Sequence, residues 1–194
     1  MKFIDKNTIK IDRELSELDR FTLDFINIIE GHVEYVLVSG YVSILLGRAR
    51  VSEDVDIIIQ KIDFSTFKEI FNDLKQSGFY CLNAEKDSRI YEYLKDNLAV
   101  RFAKKDKIIP NIELKWANHK FEKLALENAI DVILPKKSLR ISNLELQIAF
   151  KEVVLKSPKD MDDAEHIKEV AKDYLDDKLI RKYREMLHGF YKTK

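Results

Sequence analysis

The chain has one cysteine, three prolines and five glycines in 194 residues, and its 34 basic and 34 acidic side chains leave no net charge at pH 7. Each scarcity excludes something. A lone Cys81 cannot build an internal disulfide framework, and with no histidine at ligand spacing beside it, it reads as a buried strand thiol. Balanced charge removes the strongly basic signature that would favour RNA. No apolar run approaches the length of a membrane span and Met1-Lys2-Phe3-Ile4-Asp5 has no secretory character, so a cytoplasmic protein with no membrane partner is expected. There is no internal repeat, low-complexity linker or Gly/Ser hinge. What remains, 45% hydrophobic and 35% charged, suffices for one core and a small helical appendage.

The most informative segment is Asp54-Val55-Asp56, which runs into Ile57-Ile58-Ile59. In a strand, residues two apart share a face, so the two carboxylates project together while Val55 and Ile57 turn to the core. Carboxylates held that close repel, and a divalent ion or a proton relieves the repulsion. Hard oxygen donors suit Mg²⁺ or Mn²⁺. A solvated turn carrying Glu53, Asp54 and Asp56 is the other reading of the same residues.

Upstream, Glu34 to Val38 reads as a short apolar strand, Ser39-Gly40 breaks it with two small residues, and Tyr41 to Leu46 resumes at helical spacing. Such a turn lets a ligand approach the backbone and offers free N–H groups to phosphate. Between turn and acidic pair lie Arg48, Arg50 and Ser52, groups suited to phosphate oxygens. Further along, Asn97 to Ala103 and Ile109 to Trp116 read as strands joined by the polar turn Lys104 to Lys107. Glu113, between apolar neighbours, points to the face opposite the core.

These residues resemble the DNA polymerase β-like nucleotidyltransferases, and within them the AbiEii/AbiGii toxin-type and minimal nucleotidyltransferases. The order of strand, small-residue turn, helix, Arg/Ser-bearing segment and Asp-x-Asp is matched by Val36 to Val42 and Arg50 to Ile57. Two positions depart from that pattern. Ser39 replaces a usual glycine and would be strained at positive φ, and Glu113 stands where an aspartate is usual. The likeness continues through Lys151, Lys159, Asp160 and Asp163, although Ser157-Pro158 followed by acidic residues is equally a plain helix start.

The resemblance implies an α/β (α+β) fold, a mixed β-sheet core flanked by helices at 1–141 followed by a C-terminal helical segment at 142–194 packed on it. It implies nucleotidyl transfer: Asp54, Asp56 and Glu113 as catalytic residues holding two Mg²⁺ or Mn²⁺ ions, with a nucleoside triphosphate as co-substrate. Ser39, Gly40, Arg48, Arg50, Ser52, Lys151, Lys159 and Asp160 would bind the nucleotide, Asp160 by orienting a lysine. The acceptor would be a hydroxyl of RNA such as tRNA, of protein or of a small molecule, and a toxin–antitoxin setting would add a separately encoded antitoxin-type partner. The alternative is a catalytically weak or inactive protein of the same fold with a binding or regulatory role. Lysine clusters at Lys104 to Lys107, at Lys115 with Lys120 and Lys123, and at Lys136-Lys137 with Arg140 are either solvated faces or RNA contacts.

Helical spacing is also expected from Asp12 to Glu30, Phe64 to Gln76 after an Asp63 cap, Phe121 to Glu127, and Leu144 to His188 with breaks at Ser157-Pro158 and near Asp176. Short strands are expected at Phe79 to Asn83, Val132 to Leu134 and Leu139 to Ile141. Ser88 to Lys95 fits helix or loop, and the tail Tyr191 to Lys194 is expected to fray.

Overall fold

In the computed structural model, which describes residues 1–192, the chain begins with β1 (Lys2–Asp5), β2 (Thr8–Lys10), α1 (Glu17–Ile29), β3 (Tyr35–Val38) and α2 (Gly40–Leu45). It continues through β4 (Asp54–Ile59), α3 (Phe64–Gln76), β5 (Phe79–Cys81), α4 (Asp87–Lys95), β6 (Val100–Lys104) and β7 (Asn111–Trp116). It ends with α5 (Lys120–Glu127), β8 (Ile130–Ile133), β9 (Ser138–Ile141), α6 (Leu144–Phe150), a π-helical stretch at Lys151–Leu155, α7 (Pro158–Val170) and α8 (Asp177–Lys192). Both parallel and antiparallel strand pairs occur, so the expected mixed sheet with flanking helices is what the chain forms. Among the described residues no helix is long and apolar enough to cross a membrane.

Two compact units form. One comprises Met1–Arg13, Val38–Arg50 and the chain from Asn128 onward; the other comprises Glu14–Leu37 and Val51–Glu127. Each unit draws on separate stretches of the chain, because strand partners are chosen by pairing and not by proximity in sequence. In the first unit the strand order is β1-β2-β8-β9, with β2 parallel to β8. The hairpin of β1 and β2 has no counterpart in the sequence expectation. Its strands are short and β1 is mostly exposed, so no alternating pattern marks them, and a turn in which the Asn7 N–H donates to Asp5 (2.7 Å) joins them.

The second unit orders its strands β3-β4-β7-β6-β5. Val55, Ile57 and Ile59 of β4 and Ile112, Leu114 and Trp116 of β7 bury one face. Against the apolar core pack helices whose starts are chemically set. Ser16 and Asp19 form a reciprocal capping box on α1, which therefore begins at Glu17 and not at Asp12. Asp63 accepts from the Thr66 N–H (2.8 Å) and starts α3 at the expected residue; Phe67, Ile70, Phe71 and Leu74 then recur at i, i+3, i+4, i+7 on its buried face.

α4 settles the open reading of Ser88 to Lys95 in favour of helix, with Ile90 and Leu94 buried. Asn97, at φ 63°, terminates that helix, and the N–H groups of Asn97 and Leu98 reach back to Leu94 and Tyr93. The strand expected from Asn97 consequently starts at Val100. Likewise β7 begins at Asn111, after Pro110, which has no N–H to give to a ladder.

In the C-terminal region Lys156, at φ 57°, ends the π-helical stretch, and Ser157 caps α7 with Pro158 at its first position. Of the tail expected to fray, Tyr191 and Lys192 belong to α8, while Thr193 and Lys194 lie outside the described residues. Cys81 is buried in β5, as expected, and burial raises its thiol pKa.

Candidate functional site

In the second unit, parallel pairing of β4 with β7 sets Asp54 opposite Asn111 and Asp56 opposite Glu113. Residues paired across a ladder share a face, so these four side chains form a polar quartet on the side of the sheet opposite Val55, Ile57 and Leu114. β6 adds a fifth. Antiparallel register places Arg101 opposite Glu113, and its Nη2 and Nε donate to Glu113 Oε2 at 2.8 and 3.1 Å. The Arg101 guanidinium is held above its ordinary pKa, first by that hydrogen bond and by the Glu113 charge, then by Asp54 and Asp56.

Asn111 is buried, and its side-chain N–H₂ donates to the Glu53 carbonyl (3.3 Å). That bond fixes the amide's orientation, and Oδ1 has no hydrogen-bond partner. Ser52, assigned to the nucleotide from sequence, donates its hydroxyl to Asp54, to the carbonyl at 3.0 Å and to Oδ1 at 3.3 Å. Among the described residues no group of three or more His, Cys, Asp or Glu side chains is gathered as a metal cage.

In the first unit Ser39 precedes α2 with φ 63° and ψ −134°, the left-handed half of backbone space that its side chain disfavours. Its N–H donates to Gln147 Oε1 of α6 (3.3 Å). At Gly40 a Cβ would come within 2.8 Å of Arg50 Nη2, so a larger residue there would displace that guanidinium. The glycine thus seats a guanidinium from its own unit.

Arg50 also binds Asp163 Oδ2 (2.5 Å), Arg48 binds Asp163 Oδ1, and the Lys151 ammonium binds Asp163 Oδ2 (2.7 Å). Lys151 reaches Asp160 at 3.4 Å, and Asp160 accepts from the Ser157 hydroxyl. Asp163 and Lys151 are wholly buried. Burial pushes the Asp163 carboxyl pKa up, but the hydrogen bond and charge of Lys151, with Arg50 and Arg48, outweigh it and hold the group below the usual carboxylate value. Arg48 further takes the Lys159 carbonyl (2.8 Å) and Asp162 (3.1 Å), so it is Lys159's main chain that joins the cluster; its side chain is exposed.

Arg101, Asn111 and Gln147 were not singled out from sequence, although signals existed. Arg101 alternates with apolar Val100 and Phe102, Asn111 is two residues from Glu113, and Gln147 is one helical turn before Lys151. Of the lysine clusters, Lys115 is paired with Glu122 (2.8 Å), while Lys104 meets Asp24 (3.4 Å) and lies 4.0 Å over the Phe79 ring.

Solved structures that this chain resembles include two at the same TM-score. One is an antigenic nucleotidyltransferase-like protein from Paracoccidioides brasiliensis, with TM-score 0.50 at 13% identity over 90% of this chain and 89% of that one. The other is JHP933 from Helicobacter pylori, with TM-score 0.50 at 16% identity over 86% of this chain and 72% of that one. No family model and no curated protein matches the sequence. At these identities the likeness is one of fold, and the fold is nucleotidyltransferase-like.

Proposed function

We propose that this chain is a divalent-cation-dependent nucleotidyltransferase, akin to the AbiEii/AbiGii toxin-type enzymes, that moves a nucleoside monophosphate from a triphosphate to a hydroxyl acceptor. The observation that carries this reading is the quartet of Asp54, Asp56, Asn111 and Glu113 on one face of β4 and β7. All four are oxygen donors, and the buried Asn111 Oδ1 lacks a hydrogen-bond partner beside Asp54. A donor set of that hardness fits Mg²⁺ or Mn²⁺. Two such ions, when bound, supply Lewis acidity toward the attacking hydroxyl and charge neutralisation at the departing pyrophosphate.

Asp54 and Asp56 would hold the metal, with Glu113 as the third carboxylate and as general base toward the hydroxyl acceptor. Ser52 orients Asp54 through its hydroxyl. Ser39 and Gly40 would cradle phosphate, with the exposed Lys159 side chain as a countercharge. Lys151, Arg48 and Arg50 serve differently from the sequence assignment: bonded to buried Asp163, they brace the turn that precedes α2, and Asp160 steadies Lys151.

The acceptor class is a hydroxyl of RNA such as tRNA, of protein or of a small molecule, and a separately encoded antitoxin-type partner belongs to the same proposal. Incubating the purified protein with each labelled triphosphate and an extract of total RNA and protein identifies the acceptor by where label accumulates. Asp56→Asn is expected to cut labelling by about a hundredfold or more while circular dichroism stays unchanged. Retained labelling refutes the assignment. A second reading, a regulatory protein of this fold without turnover, draws on the Arg101 bond to Glu113; binding of MgATP or MgCTP with no transfer in any extract favours it.

A further inference from the structure

We propose that Arg101 is a positioning residue that competes with divalent cation for Glu113, so that the third carboxylate of the acidic face is held in reserve until it is released. The proposal rests on reading that face as a divalent-ion site. Register makes the competition direct: Asp56, Glu113 and Arg101 are successive cross-strand neighbours on β4, β7 and β6. Both Arg101 donors converge on the single oxygen Oε2, which leaves Oε1 outside the pair. The guanidinium carries the positive charge that a cation would otherwise bring next to Asp54 and Asp56, and it occupies one of the two Glu113 oxygens open to a cation.

The latch is built to open. The Arg101 side chain is 53% exposed and that of Glu113 26%, so water can solvate each partner after separation. Contrast Lys151, which has nowhere to go: both it and its partner Asp163 are fully buried. A guanidinium fork binds phosphate as readily as carboxylate, so a triphosphate entering over the acidic face offers Arg101 a replacement partner and frees Glu113 at the moment nucleotide arrives. Cation affinity and nucleotide affinity would therefore be coupled through one side chain.

The test is Mn²⁺ binding to the intact chain, measured by electron paramagnetic resonance of free Mn²⁺, in a double-mutant cycle of Arg101→Gln and Glu113→Gln. Arg101→Gln is expected to tighten Mn²⁺ binding about fivefold, and the gain should largely vanish in the Glu113→Gln background. Arg101→Lys, which keeps the charge but loses the fork, should fall between wild type and Arg101→Gln. An equal gain in both backgrounds means that Arg101 acts only as a distant charge and overturns the competition. No gain, or weaker binding, in Arg101→Gln overturns it as well. If neither wild type nor any variant binds Mn²⁺, the proposed function fails and this inference with it. Thermal melting of each variant, expected to change little at so exposed a pair, separates these outcomes from misfolding.

Discussion

The acidic face of β4 and β7 and the ion cluster around Asp163 are both made of charged side chains singled out by the same sequence likeness, yet they are physical opposites. At Asp163 a buried carboxylate meets three cations, from Lys151, Arg48 and Arg50. Every charge there is answered within the unit, and two of the groups are sealed from water. At Asp54, Asp56 and Glu113 three carboxylates share one face with the half-exposed Arg101 guanidinium, and a buried amide oxygen stays without a partner. A closed cluster holds the fold; a more exposed acidic face is open to a ligand. The contrast can be broken in either place.

The largest effect is expected at Asp163. Asp163→Ala takes the nearest counter-charge from the buried Lys151 ammonium, leaving it only Asp160 at 3.4 Å, and removes a carboxylate shared by two guanidiniums. It should cost about 3–5 kcal/mol in denaturant unfolding. A loss under about 1 kcal/mol would mean that water reaches the cluster. The same site gives a pH dependence with a definite sign. Because the folded Asp163 pKa is depressed, its stabilising contribution is complete above the unfolded carboxylate value, about 3.9, and is lost as pH falls through the lower folded value. Acid unfolding of wild type should therefore be steeper below about pH 4 than that of Asp163→Asn.

A gain of stability is expected next, at Ser39. Its φ of 63° with ψ of −134° belongs to glycine, and a non-glycine residue held there stores on the order of 1–3 kcal/mol. Ser39→Gly should raise stability by about 1 kcal/mol, less than the stored strain because glycine also frees the unfolded chain. The hydrogen bond from the residue's N–H to Gln147 survives the change, so the turn keeps its shape. An unchanged or lowered melting temperature would show that the serine is relaxed in solution.

These sites also mark how far the sequence could be read. Periodicity and caps located α3 to the residue, and alternation predicted that Asp54 and Asp56 share a face, because both signals are local. The strain at Ser39 was legible as a condition, since a glycine-type position filled by serine implies positive φ. Pairing across strands was not legible. Nothing in the local pattern says that Arg101 lies opposite Glu113, that Asn111 lies opposite Asp54, or that β2 runs beside β8, because ladder partners are set by global topology. The same limit applies to Lys151, whose complete burial and bond to Asp163 no local pattern announces.

The smallest effect is the one that most sharpens the comparison. Neutralising Asp54 removes repulsion on the acidic face without stranding Arg101, because Arg101 keeps Glu113. Asp54→Asn should therefore leave stability unchanged within about 0.5 kcal/mol, with the sign tilted toward stabilisation in chelator-treated protein. The Asp54 side chain is half-buried, and an amide of the same size keeps its packing. Adding Mn²⁺ should reverse the order, since a cation that binds only the folded state raises the melting temperature of wild type more than that of the variant. A melting temperature for Asp54→Asn several degrees below wild type in chelator would place Asp54 with Asp163, as a member of the framework.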